Sequence, residues 1–305
     1  MTFIAGLIGL LMAWVIPSIV DAPGIFVREA ERPRSAEVLF GGDLMFDRSV
    51  RVAMRENGDD HVFSCFSRDF WNADLAVANL EGPITSHASL SVGSSIGTAE
   101  NTTFTFPTST AELLWRHNIM LVNLGNNHIM NFGREGLSQT KEWLQKSGIA
   151  YFGDPDATEE DRVARLEVQG IPLSFVNWSD WTSDKTDHTV AQVRKENDAG
   201  RVVVVYTHWG DEYVPPSPRV RQLAHSFVDA GADIVIGTHP HVILEHEVYN
   251  GKDIYYSIGN FVFDQYFNED VRNGLMLRVT FNESGATDVQ EIPIYLERDR
   301  RTCLK

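Results

Sequence analysis

The sequence is poor in cysteine and in basic residues, and each shortage excludes a class of protein. Two cysteines among 305 residues are too few for a disulfide framework, and neither is placed to join a thiolate metal site. Because Cys303 lies close to the end of the chain, we expect it not to pair with Cys65. Lysine and arginine number 26 against 42 acidic residues. This balance argues against nucleic acid as the main partner, since phosphate binding needs a basic face.

The composition is otherwise that of a globular protein. Hydrophobic residues make up 43% of the chain and charged residues 22%, which is ample material for a core. No internal repeat stands out. The net charge of −16 does not exclude a phosphorylated small substrate, because a metal ion could supply the positive charge.

Basic residues are also missing before the apolar amino-terminal run, Phe3 to Val20. Its length is near the lower limit of about 17 residues for a transmembrane helix. No clear signal-peptidase site follows it, so residues 1–20 are predicted to be a membrane anchor. An uncleaved or cleaved signal sequence, a buried helix and a misassigned start codon are the alternatives. Three arginines follow the run, but a large domain can be translocated regardless of such charges, and we predict an extracytoplasmic domain, in the periplasm or at the cell surface.

After a predicted linker at 21–35, residues 36–298 are predicted to form one domain, with a tail at 299–305. Strands are predicted at 36–40, 75–78, 119–122, 150–152, 201–207 and 234–237, in a hairpin over 165–177, and within 245–258 and 275–295. Helices separate several of the middle strands, which favours a layered α/β or mixed α+β fold. Residues 85–105 are rich in Ser, Thr and Gly and are predicted to form a long loop, either functional or a mobile surface excursion.

Candidate metal ligands follow the ends of five predicted strands, where open α/β sheets place their ligand sites. They are Asp43, Glu81, Asn127 with His128, His208, and His239 with His241. Each alone also fits a structural role, as a helix cap, a turn residue or a core histidine. Together, these carboxylates, amide and imidazoles suit Mn, Zn or Fe better than Ca or Mg.

The number of candidates favours two metal ions. A catalytic zinc takes about three protein ligands, and the set without His128 has twice that number. A carboxylate that bridges two ions would use them all. One or two divalent transition-metal ions are therefore the predicted cofactors, and they would polarise a phosphoryl or carbonyl oxygen and lower the pKa of a bound water.

The strand-end residues belong to six sequence blocks between about residue 40 and residue 262. The blocks are Gly41-Gly-Asp-Leu-Met45, Ala78-Asn-Leu-Glu-Gly-Pro83, Gly125-Asn-Asn-His128, His208-Trp-Gly-Asp-Glu-Tyr213, Gly237-Thr-His-Pro-His241 and Ser257-Ile-Gly-Asn-Phe261. In type and order they resemble the bacterial capsule synthesis family of the CapA/PgsA type, within the calcineurin-like metallophosphoesterase superfamily. The resemblance implies a four-layer sandwich of two mixed β-sheets flanked by helices.

The resemblance also implies a role for each site residue. Asp43 and His241 would hold one metal, Asn127, His208 and His239 the second, Glu81 would bridge the two, and His128 would protonate the leaving group or stabilise the transition state. The sequence departs from the superfamily at Met45, where a histidine ligand is usual, and at Glu81, where aspartate is usual. The first metal is therefore predicted to have fewer protein ligands. Trp209 and Glu212 are expected to line the pocket, and Asn260 either supports the site or is a turn residue.

Three hypotheses of function follow from this resemblance. The first is an extracytoplasmic metal-dependent hydrolase in the synthesis or export of a poly-γ-glutamate-type envelope polymer, acting on a phosphoester or an amide. Its expected partners are the polymer or a phosphorylated small substrate, the membrane through residues 1–20, and capsule synthase subunits. The second is a non-catalytic accessory that binds the polymer or a synthase, which Met45 favours. The third is a cytosolic phosphatase with a misassigned start.

Overall fold

Two β-sheets dominate residues 34–158, 162–182 and 185–305, the part of the chain that the computed structural model describes. The strands are β1 (Ala36–Leu44), β2 (Leu75–Leu80), β3 (Ile119–Asn123), β4 (Ala150–Phe152), β5 (Ala164–Val168), β6 (Ile171–Ser179), β7 (Val202–His208), β8 (Ile234–Thr238), β9 (His246–Tyr249), β10 (Lys252–Tyr255), β11 (Asn260–Val262), β12 (Asn273–Asn282), β13 (Gly285–Leu296) and β14 (Thr302–Leu304). The α-helices are α1 (Arg48–Asn57), α2 (Thr110–Arg116), α3 (Gly133–Lys146), α4 (Thr186–Asp198) and α5 (Pro218–Asp229).

Both sheets are mixed. The first has the order β14-β13-β12-β1-β2-β3-β4, with β11 also paired to β1. In it β1 to β4 run parallel, and β12, β13 and β14 are antiparallel to their neighbours. The second sheet has the order β5-β6-β7-β8-β10-β9, in which β6, β7, β8 and β10 run parallel to one another. The predicted mixture of helices and mixed sheets is confirmed.

Three apolar clusters stack the sheets and helices in layers. The cluster between the sheets joins Phe40 and Val77 of the first sheet to Val204 and Ile236 of the second. The outer face of the first sheet packs against α1, α2 and α3, and that of the second against α4 and α5. The unbroken β-branched run in β7 is buried because both faces of its sheet are covered. The order of layers is therefore helices, sheet, sheet, helices.

The amino-terminal predictions fall on a part of the chain that the structure does not describe. The predicted anchor at 1–20 lies wholly outside the described residues, as does nearly all of the linker at 21–35. Within the described ranges, no helix is both long and apolar enough to cross a membrane.

The carboxyl terminus differs from the prediction. Residues 299–305, predicted as a tail, contain β14, which pairs with β13 at the edge of the first sheet. This pairing carries Cys303 to Cys65, and the two form a disulfide bond with 4.9 Å between their Cα atoms. The expectation that they remain unpaired is wrong, because nearness to the chain end does not keep a residue out of a sheet.

We expect the disulfide to contribute substantially to stability, since it closes a loop with a sequence separation of 238 residues. Replacing both cysteines by serine should lower the free energy of unfolding by about 2–5 kcal/mol, measured by urea denaturation. Wild-type protein treated with a reductant should unfold at the same urea concentration as the double variant. Equal midpoints for oxidised wild type and the double variant would contradict this expectation.

Candidate metal centre

The predicted ligands converge where the parallel strands of both sheets end. Asp43 lies near the end of β1, and Glu81 directly follows β2 in the same sheet. His208 is the last residue of β7, while His239 and His241 follow β8 in the second sheet. All five side chains are buried. Each sheet thus contributes about half of the site, which lies where the carboxyl ends of the parallel strands of the two sheets meet.

The glycine pair before Asp43 allows β11 to lie against β1 at this edge. A Cβ atom on Gly42 would overlap the carbonyl oxygen of Gly259, and one on Gly41 would overlap the ring of Phe261. β1 also shifts its register against β2 between Phe40 and Asp43. Both glycines are therefore needed for the close strand packing that positions the Asp43 carboxylate.

The turn that carries the two histidines after β8 has an unusual backbone. His239 has a φ of 95° and His241 a φ of 57°, a region that costs a non-glycine residue about 1–3 kcal/mol. The backbone N–H of His239 donates to Asp43 Oδ2 over 3.1 Å, which ties the turn to the other sheet. The strain aims both imidazoles at the carboxylates of the first sheet.

Glu81 lies at the centre of the cluster. Its Oε1 is 3.7 Å from Nε2 of His241, 3.9 Å from Nε2 of His128 and 4.0 Å from Nε2 of His208. Neither carboxylate oxygen accepts a hydrogen bond from any residue that the structure describes. A fully buried carboxylate without hydrogen bonds is costly, and a cation bound beside it would offset that cost.

The hydrogen bonds of His128 and His241 determine which ring nitrogen carries the proton. In both rings the nitrogen that faces Glu81, Nε2, is left with a free lone pair. His241 Nδ1 is 2.9 Å from Asn260 Oδ1, whose amide group donates to carbonyl oxygens elsewhere. His128 Nδ1 is 3.1 Å from Asn131 Oδ1, which also accepts from a backbone N–H. Both Nδ1 atoms must therefore donate, and in the neutral rings both Nε2 atoms are acceptors. An amide that orients the far nitrogen of a ligand histidine is typical of metal sites.

Asn127 and His208 form the next pair. Asn127 Oδ1 lies 2.9 Å from His208 Nε2, and His208 Nδ1 lies 3.0 Å from Thr238 Oγ1. The amide oxygen and the imidazole thus face each other at a separation that one ion could span, since ligand bonds of about 2.0–2.2 Å place ligand atoms roughly 3–4 Å apart.

The carboxylates and imidazoles form two groups that could each hold a metal ion. Glu81, His208 and His239 make one, and Asp43, Glu81 and His241 make the other. Glu81 belongs to both, as the family resemblance implies for the bridging ligand. His239 Nδ1 is buried and has no hydrogen-bond partner within the described ranges. The residues present therefore fit one or two divalent ions.

The electrostatics of the cluster suit ligation. Burial, followed by the charge of Asp43, raises the pKa of Glu81 well above its usual range. Burial also lowers the pKa of His128 to about 4 and, together with His241, that of His239 to about 3. Burial opposes ionisation of Asp43, but His241, His208 and Asn79 together outweigh it and bring the pKa of Asp43 to about 2. Neutral imidazoles and an ionised Asp43 are the forms that bind metal.

Met45 does not face the cluster. Its side chain is buried in the apolar cluster beneath α1 to α3, and its sulfur accepts from the backbone N–H of Asp47 over 3.1 Å. The group around Asp43 accordingly has three members, fewer than the group of candidates that includes Asn127. That the first metal has fewer protein ligands stays a prediction.

A chain of buried amides beneath the carboxylates was not predicted from the sequence. Asn79 donates to Asp43 Oδ1 over 2.8 Å, and its own oxygen accepts from Asn123 and Asn126. Asn126 Oδ1 in turn accepts from the backbone N–H of His128. These side chains orient the ligands without touching the metal position. The sequence pattern that could have indicated them is an asparagine at or next to the end of both β2 and β3, but such an asparagine resembles an ordinary turn residue.

A cleft of about 670 Å³ opens over the cluster. His128 and His241 lie at its base, and Glu212, as predicted, lies on its wall. Trp209 does not line it: the indole is buried in the cluster behind the second sheet and donates to the backbone oxygen of Tyr256. The loop at 85–105 contributes Ser91 and several neighbours to the wall, so the loop shapes the entrance.

Comparisons with known proteins found a matching family model and several relatives. The sequence model of the family described as "Bacterial capsule synthesis protein PGA_cap" matches residues 37–265. "Capsule biosynthesis protein CapA" of Bacillus anthracis is 28% identical over 276 residues, covering 84% of this chain and 66% of that protein. "PGA biosynthesis protein CapA" of Bacillus subtilis is 29% identical over 294 residues, covering 87% and 75%. A "Probable polyglutamine synthesis accessory protein" of Mycobacterium tuberculosis is 30% identical over 212 residues, covering 58% and 56%.

Proposed function

Because the chain belongs to the bacterial capsule synthesis family PGA_cap, we propose that it is a metal-dependent hydrolase in the synthesis or export of a poly-γ-glutamate-type capsule polymer. Its substrate would be a phosphoester or an amide. The names of the two Bacillus relatives support the pathway. The helix-sheet-sheet-helix layering supports the metallophosphatase-like fold that the resemblance implies.

One observation carries the proposal of a metal centre: the Glu81 carboxylate is buried without a hydrogen bond while three imidazole Nε2 atoms surround it at 3.7–4.0 Å. Two of those nitrogens are held as acceptors by Asn131 and Asn260. Burial raises the pKa of the Glu81 carboxyl, and a divalent ion would displace its proton and bind the lone pairs of the imidazoles. A purely structural core would not assemble them.

The residues divide into ligands and a proton carrier. Asp43, Glu81, Asn127, His208, His239 and His241 would hold the metal. A bound divalent ion supplies a water of lowered pKa and polarises the oxygen of the scissile bond. His128 belongs to neither metal group and lines the cleft, so it can take up a proton there and return it to the leaving group.

The disulfide supports an extracytoplasmic location. Disulfides persist in oxidising compartments and are rare where thiols are kept reduced, and Cys65 and Cys303 are bonded. The apolar run before the domain would serve as its anchor or signal sequence. On this proposal the polymer, a phosphorylated precursor, the membrane and capsule synthase subunits are the partners.

The proposal predicts metal-dependent turnover. Purified full-length protein should hold between one and two Mn, Zn or Fe ions per chain and hydrolyse an aryl phosphate or a γ-glutamyl amide. Chelation should abolish the activity, and added Mn should restore it. The measurements are elemental analysis and a chromogenic assay. Less than one ion per chain, with no turnover of either substrate after Mn addition, would eliminate the hydrolase.

A non-catalytic accessory is the second candidate, and Met45 favours it because it leaves the Asp43 group with few ligands. The word "accessory" in the name of the mycobacterial relative points the same way. In that case the metal would bind carboxylates of the polymer without turnover. Stoichiometric metal with tight polymer binding and no hydrolysis would distinguish the accessory from the enzyme.

A further inference from the structure

One basic side chain, Arg48, lies on the wall of the cleft. It is the first residue of α1, and its φ of 49° places the backbone in the left-handed region. Among the described residues that line the cleft, Arg48 is the sole lysine or arginine. In a chain of net charge −16, an anionic substrate is repelled by the protein as a whole and needs a local cation to bind.

Two aromatic rings fix the Arg48 guanidinium beside the candidate metal centre. Its central carbon is 5.1 Å from the ring centroid of Phe104 and 5.3 Å from that of Phe263. Phe104 packs on His128 with ring centroids 4.3 Å apart, and Phe263 packs on His241 at 4.8 Å. Arg48 is therefore separated from both imidazoles by a single ring, and the cation–π contacts hold its orientation.

The guanidinium has one donor without an acceptor. Nη2 forms an ion pair with Asp264 Oδ1 over 2.5 Å, whereas Nε is buried with no hydrogen-bond partner in the part of the chain that the structure describes. The other oxygen of Asp264 already accepts from the backbone N–H and the hydroxyl of Ser49. Asp264 thus neutralises Arg48 but leaves Nε without an acceptor, and a buried unpaired N–H favours an incoming oxyanion.

The loop at 85–105 also lines the cleft, through Ser91, Ser94 and Asn101 among others. Its polar side chains hold the loop together, because Asn101 Nδ2 donates to Ser94 Oγ and Ser94 Oγ donates to the backbone oxygen of Ser91. The cleft volume of about 670 Å³ also exceeds what a single small anion needs.

From these contacts we propose that Arg48 is a specificity-determining residue that binds a carboxylate of an acidic, amide-linked polymer while the scissile group lies at the metal centre. This inference rests on the proposed function of the site and specifies its substrate class. Arginine presents a planar pair of N–H groups that matches a carboxylate. Displacement of Asp264 by the incoming carboxylate completes the hydrogen bonds of the guanidinium.

Binding of a short γ-linked glutamate oligomer to the full-length, Mn-loaded protein tests the inference by calorimetry. Arg48→Gln should weaken binding about 10- to 100-fold, and Arg48→Lys should fall between that variant and wild type. Arg55→Gln changes an exposed arginine of the same helix and should bind like wild type. The same oligomer with its α-carboxylates amidated should bind wild type and Arg48→Gln equally.

Asp264→Asn gives a test that does not depend on the folding of the Arg48 variants. Removing the competing charge should strengthen binding of the acidic oligomer several-fold, whereas a purely structural Arg48–Asp264 pair predicts weaker binding. The inference fails if Asp264→Asn weakens binding, if Arg48→Gln matches Arg55→Gln, or if Arg48→Gln weakens inorganic phosphate binding but not oligomer binding. Arg48-dependent binding without turnover would instead reject the hydrolase and leave this inference standing.

Discussion

Chelating the metal should destabilise the wild-type protein and leave Glu81→Gln unaffected. A ligand at 100 times its dissociation constant stabilises a fold by about 2.7 kcal/mol. Each kcal/mol moves the Tm of a domain of this size by roughly 2–4 °C, so Mn-loaded wild type should melt about 5–10 °C above its chelated form. The variant loses the one carboxylate that both metal groups share, and its Tm should not respond to Mn. Its hydrolase activity should be absent.

Glu81→Gln should also stabilise the metal-free protein. A mutation that merely disrupts the fold would instead lower the stability of the metal-free protein. Burial raises the pKa of Glu81, so the metal-free protein keeps its full stability below about pH 4.3, the usual pKa of the group, and loses stability as pH rises from there through the raised folded-state pKa. At neutral pH, chelated Glu81→Gln should therefore exceed chelated wild type by about 1–3 kcal/mol. Glu135→Gln, at an exposed position, is the matched control. A chelated variant less stable than chelated wild type would refute the assignment.

Replacement of His128 by alanine should lower kcat by about 10²- to 10⁴-fold, the range for loss of a general acid or base. Metal content should stay at the wild-type value, because His128 lies outside both candidate metal groups. His246→Ala, which removes a partly exposed imidazole on β9, is the control and should keep full activity. A fall in metal content equal to the fall in kcat would instead make His128 a ligand.

The pH dependence should show in which direction His128 first moves a proton. Burial lowers the pKa of His128 to about 4, and its Nδ1–H is committed to Asn131. At neutral pH its Nε2 is therefore an acceptor, and activity that depends on it should be lost as pH falls through about 4. A step that needs the protonated ring from the outset would instead lose activity as pH rises through that value. Under either mechanism, His128→Ala should show no such change of activity near this pH.

The strand-end pattern predicted which side chains would meet, because buried β-strands are readable from local sequence. Asp43, Glu81 and His208 each follow or end an apolar run, and parallel strands bring such ends together. The layered mixture of helices and strands follows from the same runs, whereas the two mixed sheets were implied by the family resemblance. The roles of the individual residues stay predictions, since position alone does not decide which atom binds a metal.

What the sequence could not predict depends on contacts between distant segments. Cys303 lies beside Cys65 because β14 adds to a sheet edge, and nothing local marks that edge. Asn79 is a supporting residue only because Asp43 and Asn123 flank it in the sheet. Arg48 becomes an anion site through rings at Phe104 and Phe263, more than fifty residues away. Local patterns carry no information about such neighbours.

The position of β12 in the first sheet has a consequence for when the domain can fold. β1 precedes its antiparallel neighbour β12 by more than two hundred residues. The sheet that carries Asp43 and Glu81 therefore stays incomplete until β12 has been synthesised, and pairing over such separations is slow. The Cys65–Cys303 bond joins β14, at the edge of the same sheet, to the segment before β2, so this bond also depends on a segment that is made long after β1.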